Sequence, residues 1–205
     1  MLAVVFGASC SGKSTQAALV RNALADVAVH DFDEGAELGM GVPGRRLHTE
    51  RWLARLAELD QDAILFGGVP GEVLASPSAP RLDGLAFCLL DCADDERARR
   101  LLARQAGESL DDHALWNHVV WGVWLRFHAA DPRWFAGPLR GDGGGDFRWE
   151  RWTGWDSGDP RWSIDAIDTT GEESAATAAR LVEWFERRRA EFRAGTLALS
   201  GAWAG

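Results

Sequence analysis

The sequence predicts an α/β fold in three layers, with a parallel sheet of about five strands between helices. Three observations predict it. Short apolar runs alternate with longer segments of helical period. The first run, Leu2 to Phe6, ends abruptly at Gly7, as a buried parallel strand does. The eight residues that follow, Gly7-Ala8-Ser9-Cys10-Ser11-Gly12-Lys13-Ser14, fit G-x-x-x-x-G-K-[ST] without a mismatch and run into a helix.

The elements follow in order. A helix is expected from Lys13 to about Ala25 and a second strand over 27–30. Residues 45–59 put Trp52, Leu56 and Leu59 on one helical face. Ala63 to Phe66 is a third strand, stopped by Gly67-Gly68, and Leu85 to Leu90 a fourth. Asp94 to Gln105 reads as a helix with Asp94, Asp95 and Glu96 in its first turn, where the dipole favours them. Residues 111–129 form another helix, with Trp116, Val120, Trp124 and Phe127 on one face read mainly as core. Ser163 to Ile167 is a last strand and 172–193 a last helix. The expected domain spans 1–193, with a lid region about 94–110 and a Trp-rich insertion about 136–162, followed by a tail over 194–205. The tail reads equally as frayed chain or as an added edge strand.

Composition excludes several classes. The 205 residues carry a formal net charge of −9, which opposes general binding to nucleic acid or anionic membrane. No apolar run approaches the ~20 residues of a membrane helix, and the N-terminus lacks the basic start of a signal peptide. Three cysteines, Cys10, Cys88 and Cys92, give neither a disulfide framework nor a zinc spacing. A soluble, cytoplasmic protein is expected, with a small-molecule partner; the oligomeric state is left open.

The 22 basic residues include a single lysine, Lys13. Glycines at 7 and 12 let the backbone curl, so that the N–H groups of Ala8, Ser9, Cys10, Ser11, Gly12, Lys13, Ser14 and Thr15 can face phosphate oxygens at a helix N-terminus. A compact ammonium fits inside such a loop where a planar guanidinium would not. Lys13 is assigned to the β- and γ-phosphates of ATP, and the Ser14 hydroxyl to Mg²⁺.

His30-Asp31-Phe32-Asp33-Glu34 closes the second strand at the ligand edge of the sheet. Alternation along an extended chain would point Asp31 and Asp33 the same way. One can serve the metal and the other accept a hydroxyl proton; either can instead cap a turn. Gly67-Gly68-Val69-Pro70-Gly71-Glu72 admits a close substrate approach, or is a plain turn with Pro70 at the first helical position. No Walker B aspartate ends that strand.

Together these pieces resemble the small-molecule kinases of the P-loop superfamily, the group of shikimate, gluconate and chloramphenicol kinases. The resemblance rests on the phosphate loop, Asp31-Phe32-Asp33, Gly67-Gly68, a helix with Arg97, Arg100 and Arg104, and a late Asp168-Thr169-Thr170. It covers residues 1–192, and is closer still to uncharacterised small ATPases of high-GC bacteria. It implies a P-loop NTPase fold and ATP-dependent phosphotransfer to a hydroxyl. Asp31 would lie near the metal, and Asp33 would be base or substrate anchor. Gly67 and Gly68 would border the substrate, Arg100 and Arg104 would reach the phosphates, and Thr170 would pass near the adenine. Val69-Pro70 stands where shikimate kinases carry a third glycine, which argues against shikimate as the acceptor.

Further expectations concern the edges of this set. The spacing puts Arg97, Arg100 and Arg104 on one helix face, with Arg99 pointing elsewhere, and Gln105 to Glu108 at the lid tip. Arg126 and His128 are weighed as ligand-edge residues. Thr170 with Glu173 reads as a capping box. Trp149, Trp152, Trp155 and Trp162 either stack on a ligand or hold their loop down. Gly141 to Asp146 reads as a flexible loop. The rivals to a small-molecule kinase are a nucleoside or nucleoside monophosphate kinase, for which Arg45, Arg46, Arg51 and Arg55 become relevant, a nucleotide-binding switch without an acceptor, and a kinase of RNA ends.

Overall fold

A computed structural model describes residues 1–36, 41–104, 112–140, 146–201 and 203. The strands are β1 (Leu2–Phe6), β2 (Ala28–Asp31), β3 (Ala63–Phe66), β4 (Leu85–Asp91) and β5 (Ile164–Asp168). The helices are α1 (Lys13–Ala23), α2 (Gly41–Leu56), α3 (Pro70–Ala75), α4 (Asp94–Arg104), α5 (Asp112–Ala130), α6 (Gly137–Arg140), α7 (Glu150–Thr153) and α8 (Ser174–Arg193). The expected alternation of strand and helix is what forms, with short α3, α6 and α7 added.

All five strands are parallel, in the order β2-β3-β1-β4-β5. Every residue of β1 and β3 is buried, as a parallel sheet covered on both faces requires. Alternation then splits the core in two. Leu2, Val4 and Phe6 face a cluster built with Trp52 and Leu53 of α2, Val73 of α3, Trp124 of α5 and Trp152 of α7. Ala3 and Val5 face the opposite cluster, built with Val20 of α1 and Leu181, Trp184 and Phe185 of α8.

The Trp-rich half packs on itself. Trp152, Trp155 and Trp162 are buried. The indole of Trp152 donates to the Gly71 carbonyl at 2.8 Å, and that of Trp162 to Ala129 at 3.0 Å. Trp149 stacks on Phe147. Satisfying the indole N–H groups of Trp152 and Trp162 inside offsets the cost of burying them. The tail also packs: Leu197, Leu199 and Trp203 are buried, and Leu199 accepts from the Leu85 N–H at the start of β4.

Two expectations change here. On α5, Trp124 is buried but Trp116, Val120 and Phe127 are exposed. The sheet-facing stripe instead runs through Trp121, Trp124, Leu125 and His128; apolar residues are spread around this helix, which hides its orientation in the sequence. Leu59 lies beyond the end of α2 and is exposed. The Gln105–Glu108 lid tip lies outside the described residues, as does the Gly141–Asp146 loop up to residue 145. The three cysteines are free, and no helix among the described residues is long and apolar enough to cross a membrane.

Candidate active site at the carboxyl edge of the sheet

The Gly7–Ser14 loop joins the end of β1 to the start of α1. Gly7 is required by contact: a Cβ there would sit 2.4 Å from the Leu90 carbonyl oxygen of β4. Gly12 has φ +100°, and caps α1 with no side-chain hydrogen bond and no acidic residue in the first turn. The first N–H groups of α1 therefore face outward without a side-chain acceptor, which is the condition for holding an anion. The Ser11 hydroxyl, on the same loop, is buried and has no hydrogen-bond partner among the described residues.

Lys13 folds back over the loop. Its ammonium donates to the carbonyls of Gly7 at 2.9 Å and Ala8 at 3.1 Å. Desolvation pushes its pKa below the ordinary lysine value, while the nearby carboxylates of Asp33 and Asp31 oppose that shift. An incoming polyanion would act in the same direction as the carboxylates and favour the charged ammonium.

A cavity of about 620 Å³ opens over the loop. The loop from Ser9 through Ser14 and Thr15 forms its floor, and Arg99, Arg100 and Arg104 of α4 its far wall. Thr169, Glu172 and Thr177 close the side nearest α8. A second cavity of about 320 Å³ is lined by Ser14, Asp31 and Asp33. A third, of about 300 Å³, lies on the other side of the loop, between Lys13, Asp33, Gly67, Gly68, Arg45 and Trp121. Asp33 borders all three.

The acidic pair is set by a turn rather than by strand alternation. β2 ends at Asp31, and the Asp33 N–H donates to the Asp31 carboxylate. Such an Asx turn projects the two carboxylates independently. The outcome joins the two readings of the sequence: Asp31 caps a turn while both acids border the cavity that Ser14 lines. Gly67, at φ +137°, is where the chain must come close: a Cβ would lie 2.2 Å from the Phe32 Cβ, between the two acids. Pro70 stands at the start of α3, so the glycine pair is both a cavity wall and a strand-to-helix turn.

The arginine face of α4 is shifted from expectation. Arg97 is buried and donates to the carbonyls of His118 and Val119 and to Asp94. It is a packing residue against α5. Arg99, expected to point elsewhere, reaches the cavity instead. Arg99 and Arg100 both donate to Glu96, whose carboxyl they hold down to about 2. Arg100 also donates to the Thr169 carbonyl at 2.9 Å, which fixes it at the cavity wall.

Three other candidates lie elsewhere. Thr170 is exposed, and its hydroxyl accepts from the Ala93 N–H at 2.7 Å. It forms no capping box, since α8 starts at Ser174 with Glu173 as its cap; its neighbour Thr169 lines the cavity. Arg126 is held by Asp91 and Asp94 and by the Cys92 carbonyl. His128 is fully buried, stacked on Trp124 and edge-on to Trp152 and Trp162. Sequence reasoning missed Trp121 and Leu125 as cavity residues, and it raised Arg45 only for a phosphate acceptor; their shared signal is that the stripe they form converges with α2 over Gly67.

This fold, a five-stranded parallel sheet with a glycine loop between β1 and α1 and helices on both faces, is that of the P-loop small-molecule kinases. Similar solved structures include shikimate kinase from Bacteroides thetaiotaomicron, with 16% identity, TM-score 0.51, and coverage of 91% of this chain and 98% of that one. Shikimate kinase from Acinetobacter baumannii, in complex with shikimate, gives 13%, 0.50, 91% and 93%. Deoxyadenosine kinase from M. mycoides gives 12%, 0.51, 91% and 100%. At such identities the likeness is one of fold. No protein-family model matches the sequence, and no curated protein matches it.

Proposed function

We propose that the chain is an ATP- and Mg²⁺-dependent phosphotransferase that moves the γ-phosphate to a hydroxyl of a small molecule. The observation that carries this reading is the position of Asp33, which borders both the cavity over the phosphate loop and the cavity beside Gly67 and Gly68. A carboxylate at that junction lies between a nucleotide and an acceptor on opposite sides of the loop. It suits a group that orients the attacking hydroxyl and takes its proton.

The remaining roles follow from the chemistry of each side chain. The loop N–H groups and Lys13 hold the β- and γ-phosphates. Arg100 and Arg104, joined by Arg99, stabilise charge spreading over the transferring group. Among the described residues, no cluster of three His, Cys, Asp or Glu side chains could hold a metal alone. The oxygens of Ser14 and Asp31 fit Mg²⁺ as partial ligands, with phosphate and water completing the set. Bound there, the ion would neutralise phosphate charge.

The test is nucleotide binding followed by transfer. ATP with Mg²⁺ should bind the purified chain, and Lys13→Ala should weaken that binding about tenfold or more. Equal binding by the variant removes the loop from the account. Hydrolysis that no hydroxyl compound stimulates would favour a switch without an acceptor.

A further inference from the structure

Glu72 is completely buried, in the first turn of α3 immediately behind Gly67 and Gly68. Both of its oxygens accept from Arg45 of α2. The Arg45 Nε lies 3.0 and 3.1 Å from the two oxygens, and its Nη2 lies 2.7 Å from the first. A carboxylate gripped by two nitrogens of one guanidinium neutralises it and fixes its plane. Arg45 is also a wall of the acceptor-side cavity, opposite Asp33. Arg46 donates to the Leu139 carbonyl and lies over the ring of Trp149, from where its charge also acts on Glu72.

The ionisable side chains lining this cavity, among the described residues, are Lys13, Asp33 and Arg45. Lys13 is tied to the loop carbonyls and belongs to the phosphate side. Arg45 is neutralised within the wall, and Glu72 cannot release it without losing its hydrogen-bonded partner at full burial, which is costly. The charge left facing an acceptor is therefore the carboxylate of Asp33. Ser9 adds an uncharged hydroxyl to the wall, and Phe32, Val69, Trp121 and Leu125 give it an apolar side.

We infer that the acceptor carries no anionic group. It is an uncharged hydroxyl compound with an apolar ring or chain that lies against Trp121 and Leu125. This deepens the phosphotransferase reading and rests on it. The acceptor oxygen bonds to the γ-phosphorus, and the bond from that phosphorus to the β–γ bridging oxygen breaks. ADP leaves with the electron pair, and the hydroxyl proton passes to Asp33. A carboxylate or phosphate monoester in the same cavity would meet Asp33, and among the described lining residues Arg45 is already paired with Glu72 and Lys13 with the loop carbonyls.

The experiment uses the whole chain with ATP and Mg²⁺ and matched acceptor pairs. The pairs are nucleosides and their 5′-monophosphates, cyclitols and their carboxylates, and aromatic alcohols and their carboxylated analogues. Radioactive γ-phosphate transfer gives kcat/KM for each. The neutral member should exceed its anionic partner about tenfold or more. Glu72→Gln leaves Arg45 charged and should shift that ratio about tenfold towards the anion. The double substitution Arg45→Met with Glu72→Met removes both charges together and tests the inference even if Glu72→Gln fails to fold: a retained preference for the neutral member supports it, and a reversed preference overturns it. Transfer mainly to anionic members overturns the inference and leaves the phosphotransferase reading intact. Transfer to no acceptor, with ATP still bound, overturns both.

Discussion

The backbone N–H of Asp33 donates to the carboxylate of Asp31 across 3.1 Å. That single contact turns the chain at the end of β2 and sets both acids at the ligand edge. It also assigns them unequal work, because Asp31 spends a lone pair on the turn while Asp33 borders three cavities. Asp33→Asn should reduce phosphate transfer about a hundredfold or more with ATP affinity retained. Asp31→Asn keeps an oxygen for the turn and should mainly raise the Mg²⁺ concentration needed for half-maximal rate. A magnesium titration of both variants separates the two roles.

Arg97 and Arg100 are three residues apart and face different neighbours. Arg100→Ala should lower kcat about a hundredfold, since a fixed cation at the cavity wall is lost. Arg97→Met loses donors to two carbonyls and to Asp94, and should cost about 2 kcal/mol of stability. Thermal melts beside steady-state kinetics on both variants check the assignment.

Gly67→Ala places a methyl group against Phe32 at a backbone angle that alanine rarely adopts. The expected cost is about 3 kcal/mol from strain and overpacking together. Phe32 lies between the two acids, so transfer should fall further than stability alone explains. Activity measured well below the melting temperature isolates that part.

His128 is held to about 4 by burial, against an ordinary value of 6.5. The folded chain therefore keeps the imidazole neutral where the unfolded chain protonates it. This contribution is complete above about pH 6.5 and is lost as the pH falls towards 4, a change of about 3 kcal/mol. Denaturant melts across that range should show the slope, and His128→Leu should flatten it.

The Gly7–Ser14 loop was legible because its motif has a fixed spacing between glycines, lysine and serine, and that spacing survives any packing. The order of strands and helices was legible because β1, β3 and β4 are buried on both faces and so read as unbroken apolar runs. The face of α5 was not, because apolar residues are spread around its circumference and periodicity then carries no phase. The same limit moved Arg99 and Arg97: position on a helix gives relative angles, and only packing against α5 fixes which side is inside. Thr169 was hidden beside Thr170 for a similar reason, as two like residues at a strand end differ only in the direction they turn. The Arg45–Glu72 pair joins residues 27 positions apart on different helices, a distance no local pattern spans.

The sheet divides the interior into two clusters that share strands but no side chains. α1 and α8 lie on one side, and α2, α3, α5 and α7 on the other. The cavity over the Gly7–Ser14 loop and the cavity beside Gly67 share Ser9, Lys13 and Asp33, while their outer walls come from α4 and α8 in the first and from Arg45, Trp121 and Leu125 in the second. On the proposed reading, substitutions at Arg45, Trp121 and Leu125 reshape the acceptor wall without touching the three shared residues, so one acceptor can be exchanged for another by small steps.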